Sequence, residues 1–377
     1  MRIAQVTEYY YPHLGGITEH VHNLAKAFNR TGHPTIVVTS RMQAPVGTPD
    51  AHEYARDAEF VRRVGTSRVL YTAGSFARVT TGWRLRCQLA DLFRREQIDL
   101  VHVHNGLAPT LGVVAPLAAW DVGLPVVATF HSWFPRSHLL GALRPIAQWA
   151  ITRHAANIAV SQPVIDAHAR YLDAAWEIIP NGVDTAFFRP SDRRPDAAFR
   201  DGPQLLFVGR FDPRNALETV LRALPAVVAR YPGATLTVAG DGPLRTRYER
   251  LARPLGDHVS FIGRVNGNRP QVYGSADLYL CPAVMASFGI TLLEAMACGR
   301  PLVVSDITGF RELVNGGPEA VLTRKNDPAA WSHAIIDLIG RPEQRAAMGA
   351  AGVAKAKDYA WPLVAERVMA VYRRVMG

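Results

Sequence analysis

The chain has 377 residues, a length that accommodates two domains of ordinary size. Its composition, 48% hydrophobic and 20% charged, supports a large core and excludes wholesale disorder. Lys plus Arg number 42 against 32 Asp plus Glu, and the net charge of +10 points to an anionic partner: a phosphorylated ligand, an acidic membrane surface or nucleic acid.

Cys87, Cys281 and Cys298 are too widely spaced for a disulfide framework or a zinc pattern. The opening MRIAQVTEYYY lacks the apolar stretch of a signal peptide. The most apolar stretch, Leu107 to Trp120, is broken by Gly112 and Pro116. It is shorter than the ~20 residues a spanning helix needs. A cytoplasmic protein is expected, with peripheral contact at the inner membrane surface left open.

Arg2 to Thr7 reads as a strand, Gly15-Gly16 as a break, and Ile17, Val21, Leu24, Ala25 and Phe28 recur at helical spacing before the strand Thr35–Thr39. Further strands are expected at Asp99–His104, Leu124–His131 and Ala156–Ser161, each followed by a turn and a helix. A second series has strands at Gln204–Gly209, Thr235–Gly240, Val259–Gly263, Leu278–Cys281 and Pro301–Ser305, with helices at Leu217–Tyr231 and Thr291–Cys298. Such alternation implies parallel sheets covered by helices. The Pro-, Arg- and Asp-rich stretch between the series reads as a linker. The expected organisation is a domain over 1–184, a linker over 185–200, a second domain over 201–358, and a closing helix over 359–377. That helix has Trp361, Val364, Val368, Val371 and Tyr372 on one face. Packing on the second domain and crossing back to the first are both open.

Arg210, in the loop after the strand Gln204–Gly209, offers a fork of donors suited to a diphosphate, although a lone loop Arg is commonly just solvated. Gly289, Ile290 and Thr291 open a helix whose free N–H groups and dipole favour an anion. Glu294 lies about one turn in, where a carboxylate can accept from ribose hydroxyls. An exposed, capping-type acid is the competing reading. Asn181-Gly182-Val183-Asp184 reads as structural. No zinc finger, RNA-recognition signature or Lys/Arg block is present, so nucleic acid is not an expected partner. The first turn, His13-Leu14-Gly15-Gly16-Ile17-Thr18, does not match G-x-G-x-x-G, against a dinucleotide-dependent oxidoreductase.

SFGITLLEAMACGRPLVVSD resembles the donor-site signature of the retaining GT-B glycosyltransferases of the GT4 family. YYYPHLGGITEHVHNLAKAFNRTGH, IIPNGVDTAFFRP, FVGRFDPRNALETVLRALP, VAGDGP, VSFIGRV and SADLYLCPA follow that family's order over nearly the whole chain. The closest flavour is phosphatidylinositol mannosyltransferase-like, beside enzymes that decorate polysaccharides and natural products. The resemblance implies an α/β GT-B fold, two Rossmann-like domains facing across a central cleft. It implies metal-independent, retaining transfer from a nucleotide-diphosphate sugar, GDP-linked rather than UDP-linked, with no cofactor. The acceptor, a lipid head group, a glycan or a secondary metabolite, is left open.

By motif position, Glu294 holds the ribose and Phe288, Gly289 and Ile290 offer backbone N–H groups to the sugar, with Ser287 and Thr291 beside them. Arg210 and His131 serve the reaction, Gly15 and Gly16 approach the phosphate, and Arg264 lies near the base. Two positions depart from the family. A glutamate eight residues before Glu294 is replaced by Ala286, and a lysine after Arg214 by Asn215. Arg214 is the nearest replacement for the lost charge. The departures leave three readings open: a rearranged active site, a sulfur nucleophile as acceptor, or a catalytically silent nucleotide-sugar-binding partner. On the acceptor side, Tyr10 and Trp133 are candidates for stacking. The segment Arg78–Arg86, leading into a helix with Leu85, Leu89 and Leu92 on one side and Arg94 and Arg95 beyond, is a candidate for contact with an anionic membrane. An ordinary amphipathic helix with a solvated basic face is the plainer reading.

Overall fold

A computed structural model describes residues 1–13, 15–42, 57–72, 75–107, 110–190, 202–265, 267–314 and 316–377. Two compact units emerge: Met1–Asn181 with Trp361–Gly377, and Gly182–Ala360. Of the expected linker, residues 191–200 lie outside the described residues.

The first unit holds β1 (Ile3–Val6), β2 (Thr35–Arg41), β3 (Val61–Thr72), β4 (Ser75–Thr81), β5 (Leu100–His104), β6 (Val126–Phe130), β7 (Ala156–Ala159) and β8 (Glu177–Ile178), in the order β4-β3-β2-β1-β5-β6-β7-β8. Neighbours are parallel except the β3–β4 pair. β1 and β6 are buried throughout. Strands covered on both faces read as unbroken apolar runs rather than alternation. From β1 the sheet grows one way through β2 and the other way through β5. The loops leaving such a switch point diverge and make room for a ligand.

The closing helix, Trp361–Met376, completes this unit's core. Its Trp361, Val364, Val368, Val371 and Tyr372 pack with Ile3, Phe28, Leu100, Val127 and Ile158. The helix Leu85–Arg95 also turns its apolar side inward, with Leu85, Leu89, Leu92 and Phe93 buried. Arg86 pairs with Asp121 and Arg94 with Asp91. The apolar stripe of this helix is thus spent on the core.

The second unit holds β9 (Gln204–Val208), β10 (Thr235–Ala239), β11 (Val259–Gly263), β12 (Leu278–Cys281), β13 (Leu302–Ser305) and β14 (Ala320–Thr323), in the order β11-β10-β9-β12-β13-β14. All pairs are parallel. The switch point falls between β9 and β12. Leu217, Val220, Leu221 and Leu224, on one face of the helix Leu217–Arg230, pack with Leu205, Phe207, Leu236, Val238 and Trp331. β14 and the helices Pro328–Ile339 and Pro342–Lys357 complete the unit beyond the elements anticipated above.

Candidate active site

In the second unit, loops from β9, β10 and β12 are stitched together at the carboxyl ends of the strands. The Val284 N–H donates to the Arg214 carbonyl at 2.8 Å, and the Phe211 N–H to the Asp241 carbonyl at 2.9 Å. Gly240 has φ +141, and a Cβ there would sit 1.9 Å from the Gly209 carbonyl oxygen, so the crossing of the two loops demands glycine. The Asp212 carboxylate accepts from the backbone N–H groups of Arg214 and Asn215, and the Asn215 amide donates to the Arg210 carbonyl at 2.7 Å. Asn215 is therefore a brace of its own loop.

Arginines gather around these loops. Arg210 Nε lies 3.9 Å from Asp212 Oδ2, and its side chain is 37% exposed. Arg245 and Arg264 approach Asp241 at 3.7 and 3.8 Å. Contacts this long between solvated groups are worth little. Arg245 is held more closely by Glu249, at 2.7 Å. Arg245 was not singled out in the sequence, because a basic residue on an exposed helical face carries no local mark.

β12 leads to the turn before the helix Ile290–Ala297. Gly289 caps it in the left-handed region, φ +102. The turn is held from behind by the helix Thr308–Val314: a Cβ on Gly309 would fall 2.0 Å from the Ala286 carbonyl oxygen. Phe288 is buried, and Ser287, Ile290 and Thr291 are half-buried. Glu294 is 3% exposed, which removes the reading of an exposed capping acid. Its Oε1 accepts from Arg269 at 2.7 Å and its Oε2 from the Tyr273 hydroxyl at 2.7 Å. The Arg269 guanidinium also lies 5.2 Å from the Phe188 ring centroid. A buried carboxylate needs such partners, since an unpaired one costs several kcal/mol, about. Arg269 and Tyr273 lie on the helix Arg269–Gly274 and carry no motif of their own, so sequence reading passed them over.

In the first unit, the loop after β1 begins the helix Gly16–Arg30, with extended Gly15 at its cap. His131 follows β6 and is 7% exposed. Its backbone N–H donates to Asn105 Oδ1 at 3.0 Å. His131 Nε2 is 3.0 Å from His104 Nδ1, and His104 Nε2 is 2.8 Å from Gln5 Oε1. Gln5 Oε1 accepts the His104 Nε2 proton, which leaves His104 Nδ1 as acceptor and puts the His131 proton on Nε2. His20 donates from Nδ1 to Asn181 Oδ1 at 2.9 Å, and its buried Nε2 finds no partner. Asn181 is thus tied to the histidine network. Burial pushes His20 down to about 4 and His104 and His131 well below the ordinary imidazole range, so all three are neutral at pH 7. Their ligand atoms lie within 4.8 Å of one another, the single such group among the described residues. His20 and His104 were not anticipated. The signal was the run His20, His102, His104 in buried elements.

One expectation is corrected. Tyr10 is 1% exposed and packs with Tyr11, Val21, Ala25 and Val37. Its hydroxyl meets His22 Nδ1 at 3.0 Å and donates to Asp57 at 3.2 Å. It offers no face for stacking on an acceptor, because its ring is packed between the helix Gly16–Arg30 and β2. Trp133 is half-buried. Glu8, also unanticipated, is buried and accepts from the Thr80 and Thr110 hydroxyls and the Leu111 N–H. Burial still raises its pKa.

The chain is similar to known proteins in sequence and in fold. A family described as "Glycosyltransferase Family 4" matches residues 14–187, and one described as "Glycosyl transferases group 1" matches residues 202–341. The chain is 32% identical to the phosphatidyl-myo-inositol mannosyltransferase of Mycolicibacterium smegmatis, over 100% of this chain and 95% of that protein. It is 30% identical to the glycogen synthase of Mycobacterium tuberculosis, over 99% and 94%. Among solved structures, Anabaena Alr3699/HepE in complex with UDP superposes with a TM-score of 0.80 at 18% identity, covering 99% of this chain and 100% of that one.

Proposed function

The chain belongs to glycosyltransferase family 4, and on that premise we propose that it transfers a sugar, with retention of configuration and without a metal, from a GDP-linked donor to an acceptor hydroxyl. The glycosyltransferase class and the GT-B fold follow from the family. The donor, the stereochemistry and the residue roles are this reading's own. Relatives named as mannosyltransferases favour mannose as the sugar.

The observation that carries the reading is Glu294, a buried carboxylate locked by Arg269 and Tyr273 one turn inside a helix that follows a glycine-capped turn. In the proposed complex that carboxylate accepts from the ribose hydroxyls, while Gly289 and Ile290 present their N–H groups to the donor. Breaking the glycosidic bond leaves negative charge on the diphosphate. Arg210 and Arg214 would meet that charge, a task performed elsewhere by a divalent ion. The Gly15-Gly16 loop is assigned to the phosphate by family position, its small residues leaving backbone N–H groups open to an anion. His131, neutral and protonated on Nε2, has its ring fixed by His104 and orients the reacting sugar. Arg264 lies towards the base and Trp133 towards the acceptor. Asn215 and Ala286 remove a charge and an acceptor that the family resemblance implies, so Arg214 is assigned the missing positive charge. No comparison supports the silent-partner alternative.

Incubation of the purified chain with GDP-mannose and UDP-glucose in EDTA tests this. Release of GDP that survives the chelator and falls at least tenfold in Arg210→Ala is expected. Release from neither donor, or release abolished by EDTA and restored by a divalent ion, contradicts it.

A further inference from the structure

Three buried histidines of the first unit converge. His20 lies on the helix Gly16–Arg30, His104 ends β5 and His131 follows β6, and they are 1%, 2% and 7% exposed. One ring nitrogen from each lies within 4.8 Å of the other two. Amide oxygens tie off the outer nitrogens of two of them. His20 Nδ1 donates to Asn181 Oδ1 at 2.9 Å, and His104 Nε2 donates to Gln5 Oε1 at 2.8 Å. Those bonds set both tautomers and leave His20 Nε2 and His104 Nδ1 as lone pairs. His104 Nδ1 accepts from His131 Nε2 at 3.0 Å, while His20 Nε2 is buried with no partner among the described residues. A buried polar atom without a partner is costly, so its place beside two further imidazoles calls for an explanation.

His102 shows the contrast with a histidine that only packs. It stands two residues before His104 on β5, with Nδ1 against the Tyr372 hydroxyl and Nε2 2.7 Å from the Thr129 hydroxyl, so both nitrogens are used. In the cluster, His20 and His104 already make the outer hydrogen bond that orients a metal-bound imidazole. A tetrahedral ion with Zn–N bonds of about 2.1 Å holds its ligand atoms about 3.4 Å apart. The His104–His131 pair stands close to that spacing at 3.0 Å. The group consists of imidazoles alone, with no carboxylate in it. Such a donor set suits zinc, cobalt, nickel or copper, whereas magnesium and calcium demand oxygen.

We propose that His20, His104 and His131 form a site for a divalent transition ion of the zinc type, and that the bound ion switches sugar transfer off. Ligation needs one internal rearrangement. The proton on His131 Nε2 passes to its Nδ1, and the three neutral rings then offer three lone pairs with no net release of a proton. The fourth position opens on the side of His131, the least buried of the three, where water completes the tetrahedron. Binding stands on this geometry alone. The effect on transfer rests on the role proposed above for His131. In the metal-free ring Nδ1 is an acceptor, whereas in the loaded ring it is a donor and the imidazole is tied to an ion. The hydrogen bonding that His131 offers a sugar is thereby inverted. The proposed reaction needs no metal, so an ion at this position opposes it.

Calorimetric titration of the full chain, stripped with EDTA and desalted, tests the site with zinc and with magnesium, beside a cobalt titration followed by visible absorption. The expected result is one zinc per chain with micromolar or tighter affinity, no saturable magnesium binding, and the intense visible bands of tetrahedral cobalt. Zinc affinity falls at least tenfold in His20→Gln and in His131→Gln. It is kept in His333→Gln and Cys87→Ser, both at exposed positions. Should a cluster variant fail to fold, the cobalt spectrum of the native chain decides: absent or octahedral bands overturn the site. Zinc binding that survives both folded cluster variants, or that is lost in His333→Gln or Cys87→Ser, overturns it as well. Release of GDP from GDP-mannose is expected to fall at least tenfold in the zinc-loaded chain and to return with EDTA. Undiminished release from a loaded chain overturns the switch and removes His131 from the reaction, while the ligand set stands. Absence of release from the metal-free chain sinks the proposed function and the switch with it, and calorimetry and cobalt absorption still judge the site.

Discussion

Glu294 is a buried carboxylate with both oxygens satisfied. Its two oxygens are already engaged by Arg269 and Tyr273, which fixes the carboxylate before any ligand arrives. Glu294→Gln keeps the volume and removes the charge, and charge-assisted bonds of this kind are worth roughly 1.5–3 kcal/mol. A loss of about 10–100-fold in donor affinity is expected. Calorimetric titration of the variant checks it, and unchanged affinity would remove Glu294 from the ribose. Asn215 supports a second prediction. Asn215→Lys removes the hydrogen bond that the side-chain amide donates to the Arg210 carbonyl and adds charge to a loop already carrying Arg210 and Arg214. Turnover is expected to fall or to change less than tenfold. A larger gain would mean that the donor site had lost its function and was repaired. Glu294 was legible because it stands in a motif. Arg269, Tyr273, His20 and His104 were not, because what qualifies them is the residue they touch, and those pairs form only when helices from different parts of the chain meet.

Elements carry the same lesson in backbone terms. Helix and strand periodicity revealed the βαβ series, because buried parallel strands read as apolar runs. It did not reveal the antiparallel β4 or the two-residue β8, whose places depend on neighbouring strands rather than on their own residues. The amphipathic face of Trp361–Met376 was visible, but its destination was not, since a stripe of Val, Tyr and Trp does not state which sheet it will cover. Gly309 shows how strict such packing is. A Cβ there meets the backbone of Ala286, which no rotamer change can relieve. Gly309→Ala should displace the turn Ala286–Gly289 and weaken donor binding more than it lowers thermal stability. A variant with wild-type affinity would separate the two elements.

Across the whole molecule, burial of neutral histidines couples stability to pH. Desolvation lowers the pKa of His20, His102, His104, His131, His154 and His168, with His20 and His154 pushed down to about 4 and His102 to about 3. The unfolded chain takes up these protons near the ordinary value of about 6.5. The folded chain binds fewer protons in that range, so stability is fully present above about pH 6.5. It falls as pH drops towards 4, by up to ~1.4 kcal/mol per pH unit for each histidine. Denaturant unfolding at pH 7.5, 6 and 5 should give midpoints that fall with pH. A flat profile would mean that these imidazoles are not buried in solution.

If the second unit holds a nucleotide diphosphate without a metal, calorimetric titration with GDP, UDP, ADP and dTDP in EDTA should show saturable binding of one diphosphate above the others, GDP first, weakened in Glu294→Gln and in Arg210→Ala. A folded sample that binds none of the four contradicts it.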